Sequence, residues 1–245
     1  MAEEASSGPA GAAPHTGEAH TTGTAGRLNW LRAGVLGAND GIVSVAGIVV
    51  AVSGATSQRG PILTAGVAGL VAGAVSMALG EYVSVSSQRD SEKAMLHQER
   101  WELSAYPEEE LAELTALYEA KGVRPETARQ VAVELTEHDA LRAHLDAELN
   151  IDPDDLVNPV HAAVASAIAF TVGALLPLIA VLLPTSVRVP VTVAAVLVAL
   201  AITGAVSARL GGSSPRRAVV RLVVGGAAGL ALTWGIGHLF GAAVG

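Results

Sequence analysis

Residues 37–55 read GANDGIVSVAGIVVAVSGA, and Asp40 is the only ionisable side chain among them. With residues 31–36 in front, the stretch is long enough to cross a bilayer as a helix, which takes about 20 apolar residues. A carboxylate inside such a run is costly. It therefore raises two questions together: how the rest of the chain folds, and what the carboxylate meets.

The same apolar pattern recurs at residues 62–86, 160–184, 189–210 and 218–243. The charge sits elsewhere. Residues 90–155 hold 18 of the 23 acids and 6 of the 15 bases, a net charge of −12. One part of the chain is therefore suited to lipid and another to water. The expected fold is all-α: a polytopic membrane protein with five transmembrane helices and a cytoplasmic, acidic three-helix insert between helices two and three. The expected organisation is a disordered tail over 1–26, helices one and two over 27–89, the insert over 90–155, and helices three to five over 156–245. The tail lacks the basic and apolar regions of a signal peptide, so the first membrane helix serves as an uncleaved targeting signal. The chain has no cysteine, which excludes a disulfide framework and any thiolate metal site.

Helix one is expected over about Leu28–Ala55 and helix two from Ile62 to about Ser87. No turn signal follows Ser87, so helix two should continue into water. Pro107 suits the first turn of the next helix, and Lys121-Gly122 ends it. Val131, Leu135, Leu141, Leu145 and Leu149 recur at helical spacing in a third stretch. The last three membrane helices are expected over Pro159–Leu183, Val189–Leu210 and Arg216–Phe240. Arg27, Arg32, Arg89, Lys93, Arg209, Arg216, Arg217 and Arg221 flank one set of helix ends, and only Arg59 and Arg188 flank the other. Basic residues mark the cytoplasmic side. The N-terminus and the insert are therefore expected in the cytoplasm and the C-terminus outside. Arginine outnumbers lysine 13 to 2, and the chain is rich in Ala, Gly and Val. That composition points to a bacterial source and its cell membrane.

Asp40 lies eight residues beyond Arg32, ~12 Å into the bilayer, and Met77 lies twelve before Arg89, ~18 Å from the same surface. On antiparallel helices the two can meet near mid-membrane. A charge at that depth costs about 2.5–3.5 kcal/mol on insertion scales. It needs a cavity or a partner, or else protonation and a hydrogen bond to a neighbouring helix. Gly37 and Gly41 flank Asp40 and suggest water access through a thinned helix. A thioether beside a carboxylate suits a borderline ion such as Fe²⁺ better than Mg²⁺ or Ca²⁺. Glu81 follows Met77 by one turn on the same face, as an entry ligand or proton carrier, or as a carboxylate snorkelling to the interface.

In the insert, Glu99 and Glu102 are three residues apart, as are Glu110 and Glu113, so each pair shares a helix face. Facing pairs of this kind can hold divalent cations. Glu134/His138 and His144/Glu148 are four apart. The competing account is a solvated acidic hairpin. A ferritin-like di-iron centre needs Glu-x-x-His on two helices; Ala94, Leu135 and Leu141 stand three residues before His97, His138 and His144, so that centre is excluded. EF-hand and P-loop patterns are absent too.

The stretches GANDGIVSVAGIVVAVSGA, GLVAGAVSMALGEYVSVSSQRD and NPVHAAVASAIAFTVGALLPL resemble the vacuolar iron transporter family, with its plant, yeast and bacterial members. The resemblance covers nearly everything after residue 27. It implies five membrane helices, a homodimer, and a metal-binding insert between helices two and three. It also implies export of Fe²⁺, and often Mn²⁺, from the cytoplasm in exchange for protons. The family's pathway residues fall on Asp40 and Met77, and its insert glutamates on Glu99, Glu102, Glu110, Glu113 and Glu148. A Met-Met pair of the plant members falls on His144 and Leu145, and a plant carboxylate seven residues before the pathway aspartate falls on Ala33.

The resulting expectation is a proton-coupled Fe²⁺/Mn²⁺ transporter, an antiporter that is not an enzyme. It has no resident cofactor, and its partners are metal ions, protons, lipid and a second copy of itself, with no nucleic acid. The rival is a membrane-anchored metal sensor or scaffold, which would bind metal in the insert without flux. An enzyme is disfavoured because no nucleophile–base pair stands out.

Overall fold

The computed structural model describes residues 24–149, 151 and 157–244, with side chains from residue 34 onward. The described residues form seven α-helices and one π-helical turn. These are α1 (Thr24–Ala55), α2 (Arg59–Ala105), α3 (Pro107–Ala120), α4 (Pro125–His144), the π turn (Leu145–Leu149), α5 (Pro159–Ala180), α6 (Thr185–Leu210) and α7 (Pro215–Val244). No strand occurs among the described residues. Five helices, α1, α2, α5, α6 and α7, are long and apolar enough to cross a membrane. The chain is an all-helical integral membrane protein.

Helix α1 sits in the middle and packs on α5, α7, α2 and α6. Its apolar residues divide by helical spacing into two buried stripes. Val45 and Val49 join Ile62 of α2 with Phe170, Ala174 and Leu178 of α5. Ile42, Ala46 and Val50 join Val196 and Leu200 of α6 and Leu230 of α7. The opposite faces of the outer helices are apolar and exposed: Val67, Val71, Val75 and Leu79 on α2, and Val164, Ile168, Val172 and Ile179 on α5. Lipid tails are as apolar as these side chains, so helix association rests on close packing rather than on escape from water.

That packing gives the glycines beside Asp40 a different job from the water access their position suggested. Gly37 and Gly41 are both buried. A Cβ at Gly37 would stand 3.0 Å from the Ser166 carbonyl oxygen, and one at Gly41 would overlap the Phe170 carbonyl. Gly173 of α5 makes the reciprocal approach to the Ala38 backbone. These glycines let α1 and α5 touch backbone to backbone. Gly41→Val is therefore expected to drive the helices apart, at or beyond the ~1–3 kcal/mol typical of overpacking. Size-exclusion profiles and melting in detergent should show a destabilised or aggregated protein. Gly80→Ala, where an added Cβ meets nothing within 4 Å, should leave both unchanged.

Helix α2 runs unbroken for 47 residues, ~70 Å and about twice what a bilayer needs. Its C-terminal part, from Gln88 with Arg89, Asp90, Glu92 and Lys93, extends beyond the apolar part as the unbroken sequence suggested. Pro107 occupies the first turn of α3. Gly122, at φ +92°, turns the chain back, its N–H donating to the Glu119 carbonyl at 2.8 Å. Leu114 of α3 and Ala132 and Ala143 of α4 form a small core with Leu111, Tyr118, Leu135 and Ala147.

At the opposite membrane surface both arginines are tied to backbone. Arg59 donates to the Leu182 carbonyl at 3.0 Å. Arg188, only 3% exposed, donates to the carbonyls of Ser57 and Leu183 at 3.4 Å each. They satisfy carbonyls of the connections that follow α1 and α5, where the chain has no helical partner to offer.

Two expectations change at their edges. Residues 24–26, assigned to the tail, form the first turn of α1; extending an existing helix adds one hydrogen bond per residue fixed. The rest of that tail, 1–23, and most of the connection at 150–156 lie outside the described residues. The third insert helix is not continuous either. Asp139 has extended backbone (φ −163°, ψ 90°), its carboxylate accepts from the Arg142 N–H at 3.0 Å, and the segment ends in the π turn.

Candidate metal site and the membrane carboxylate

Three elements converge beyond the membrane part of α2. The extension of α2 brings Glu99 and Glu102, the first turns of α3 bring Glu110 and Glu113, and the end of α4 with the π turn brings His144 and Glu148. The kink at Asp139 separates Glu134 and His138 from this place and leaves both exposed. Beyond it the chain re-aims His144 inward and swings Glu148 toward the same point. A π turn is a local departure often found where a side chain must be placed for function.

His144 is fully buried. Its Nδ1 lies 3.0 Å from Glu99 Oε1 and 3.5 Å from Glu110 Oε2. Glu99 and Glu110 are 4% and 7% exposed. Despite the short distance, Glu99 Oε1 and both ring nitrogens of His144 lack a hydrogen-bond partner, so the approach is close without being aligned as a hydrogen bond. Buried polar atoms are normally satisfied; three orphans at one point call for a cation. One ligand atom each from Glu99, His144 and Glu148 lie within 4.8 Å of one another. Ligands around an ion at ~2.1 Å stand at most ~4.2 Å apart, so a small inward movement completes a site of oxygen and nitrogen donors. Glu102 is half-buried and accepts from Gln98 Nε2 at 3.1 Å. Glu113 is exposed.

The electrostatics agree with the geometry. Burial, followed by the charges of Glu148, Glu110, Glu102 and Glu113, raises Glu99 to about 7. Glu110 is raised by burial and then by Glu113, Glu102, Glu148 and Glu109. Glu148 is raised by burial and then by Glu113 and Glu102. Burial lowers His144, with Glu113 pulling the other way, so the imidazole is neutral near pH 7 and available as a ligand. Each carboxylate is thus held back from ionising by burial first and by its neighbours second, and a divalent cation would offset both.

A pH dependence follows. Between its ordinary value of 4.5 and about 7, folded Glu99 keeps a proton that the unfolded chain has released. In that window the unfolded state binds fewer protons at Glu99, and Glu110 and Glu148 act in the same direction. His144, lowered by burial, opposes them below 6.5, and the three carboxylates outweigh it, so stability falls as pH rises. The metal-free protein should melt at a higher temperature at pH 5 than at pH 7.5. Mn²⁺ should restore the loss at pH 7.5 and do little at pH 5, because it competes with the proton. Melting curves across pH, with and without Mn²⁺, test this.

Within the membrane, Asp40 is exposed on the single chain and accepts a hydrogen bond from Ser44 Oγ at 2.7 Å. Leu36, Asp40 and Ser44, spaced four apart, share one exposed face. Met77 is half-buried against the cluster that contains Val45 and Phe170, and Glu81 is half-buried. The single chain therefore brings Glu99, Glu110, His144 and Glu148 together, whereas Asp40 and Met77 have different surroundings. Ser44 was not anticipated as the partner of Asp40, although its spacing of four made it the natural intrahelical donor. Asp139 and the π turn left no legible signal.

The fold and its site thus define a five-span helical membrane protein with a convergent cluster of carboxylates and one imidazole outside the bilayer. The sequence profile of the VIT family matches residues 31–238, and the chain belongs to that family. It is 46% identical over 227 residues to a vacuolar iron transporter of Acanthamoeba castellanii, covering 91% of this chain and 83% of the relative. It is 39% identical over 217 residues to vacuolar iron transporter homolog 1 of Oryza sativa subsp. japonica, covering 88% and 75%. It is 36% identical over 222 residues to vacuolar iron transporter homolog 2.1 of Arabidopsis thaliana, covering 89% and 84%.

Proposed function

We propose that this protein exports Fe²⁺ or Mn²⁺ from the cytoplasm in exchange for protons, working as a homodimer. The observation that carries the reading is the convergence of Glu99, Glu110, Glu148 and the orphaned His144 on one point, in a chain with a carboxylate at mid-membrane. The relatives named as iron transporters support the metal as cargo. The clustering of arginines on the insert side supports a cytoplasmic insert. The insert, with Glu102 and Glu113 adding to its field, concentrates cations at the pore mouth. Glu81 passes the ion inward. Asp40 and Met77 bind it in the membrane, and a proton taken up by Asp40 from the far side displaces it. Because the same carboxylate holds either the ion or the proton, the two fluxes are coupled.

The exposure of Asp40 and Ser44 on the single chain supports the dimer. A carboxylate facing lipid at that depth is costly, and a second copy set against α1 would remove it from lipid and double the ligands.

The test is flux into proteoliposomes. Fe²⁺ or Mn²⁺ should accumulate when the lumen is acidic and stop when the proton gradient is collapsed. Metal binding without flux would favour the sensor or scaffold, and competition between the two metals would set their order.

A further inference from the structure

A second feature lies at the insert-side end of α1, one turn before Asp40, and has no part in the scheme above. A cavity of about 300 Å³ opens where the insert-side ends of α1, α6 and α7 meet, lined by Leu36, Asn39, Ser207, Ala218, Arg221 and Leu222 among others. Its wall is largely apolar and its mouth is polar. Ser207 lies one turn from the end of α6. Arg221 lies six residues into α7, ~9 Å along the helix, where headgroups give way to acyl chains. Both are exposed. The side-chain oxygen of Asn39 is buried without a hydrogen-bond partner; as an amide, Asn39 can offer either an acceptor or donors.

Among the described residues, the charged side chains at the meeting ends of α6 and α7 have one sign. Arg209, Arg216, Arg217 and Arg221 are all exposed. The last acid in the chain is Asp155, so α5, α6 and α7 contain no carboxylate to pair with them. Among the described residues none of the four makes an ion pair or a side-chain hydrogen bond; the ion pairs there are those of His144. Asp40, the acid nearest to the cavity in sequence, is held by Ser44. Arg59 and Arg188 at the other surface are tied to carbonyls, so among the described residues the unpaired arginines lie on the insert side. They also repel a divalent cation, which separates this cavity from any metal route.

We propose that this cavity is a binding site for an anionic phospholipid of the insert-side leaflet, its phosphate at Arg221 and Ser207 and its acyl chain along Leu36 and Leu222. Basic pockets between membrane helices on that side are suited to such headgroups. The site lies beside Asn39, the residue before Asp40, so the occupant abuts the helix that holds the membrane carboxylate.

The test uses the full-length protein and needs no transport. In detergent micelles doped with phosphatidylglycerol the protein should melt about 3 °C or more above its midpoint with phosphatidylcholine. Native mass spectrometry from mixed micelles should retain phosphatidylglycerol on each protomer in preference to phosphatidylcholine. Ser207→Phe fills the cavity from an exposed position and keeps every arginine; it should abolish the lipid-dependent difference, as should Arg221→Gln. Inorganic phosphate should leave the midpoint unchanged. Equal retention of the two lipids would overturn the proposal. So would a full shift surviving in Ser207→Phe, which would mean diffuse surface attraction. A phosphate shift equal to that of lipid would mean a free-anion site and overturn it too.

Discussion

Asp40→Asn should abolish metal flux in proteoliposomes while leaving metal binding by the insert unchanged. The substitution keeps the shape of the side chain and an acceptor for Ser44, so the packing of α1 survives. It removes the one group on the exposed face of α1 able to neutralise a divalent ion in a medium of low dielectric constant. Losing one partner of a buried charge pair costs about 3–5 kcal/mol, on the order of 10²–10⁴-fold in affinity. It also removes the proton acceptor, so raising the metal concentration should not restore transport. Asp40→Glu, which keeps the charge and displaces it by one methylene, should recover part of the flux. Metal uptake and its response to pH measure the first effect, and Mn²⁺ titration calorimetry on the same preparations measures the second. Unchanged flux in Asp40→Asn would sink the membrane part of the mechanism.

The second large effect belongs to the insert. Glu99→Gln combined with His144→Ala removes two of the three ligands that come together there. Mn²⁺ affinity should fall by at least the ~10–100-fold that losing an outer-shell partner alone can cost. In flux measurements the half-saturating metal concentration should rise while the maximal rate stays near wild type, because the insert supplies ions that Asp40 then passes. Glu134→Gln with His138→Ala makes a matched control. It removes the same two residue types from the far side of the Asp139 kink, and it should change neither binding nor flux. If both doubles behave alike, diffuse negative charge accounts for the insert better than a defined site.

That control also shows where sequence reasoning reaches its limit. Glu134/His138 and His144/Glu148 are indistinguishable as helical pairs. One is solvated and the other joins a cluster around buried His144, with Glu148 at its exposed edge, because the backbone breaks at Asp139 and widens into a π turn, and neither event has a residue-level signature there. The glycines beside Asp40 were ambiguous for a related reason. A glycine in a membrane helix can admit water or another backbone, and only the position of Phe170 on α5 decides which. The cavity beside Asn39 depends in the same way on three helix ends meeting.

What this sequence determined by itself is whatever depends on local composition along one helix or turn. That includes the five apolar spans, the continuation of α2 beyond the membrane, the start of α3 at Pro107 and its reversal at Gly122, the concentration of acids in residues 90–155 and that of arginines at one set of helix ends. Transfer between water and lipid and the φ preferences of proline and glycine act residue by residue, so a linear reading captures them. The tertiary structure alone decided which residues meet: His144 with Glu99 and Glu110, Gly41 with Phe170, Arg188 with Ser57. Those contacts arise from close packing between segments remote in the chain, whose strength depends on ångström-scale fit rather than on residue type.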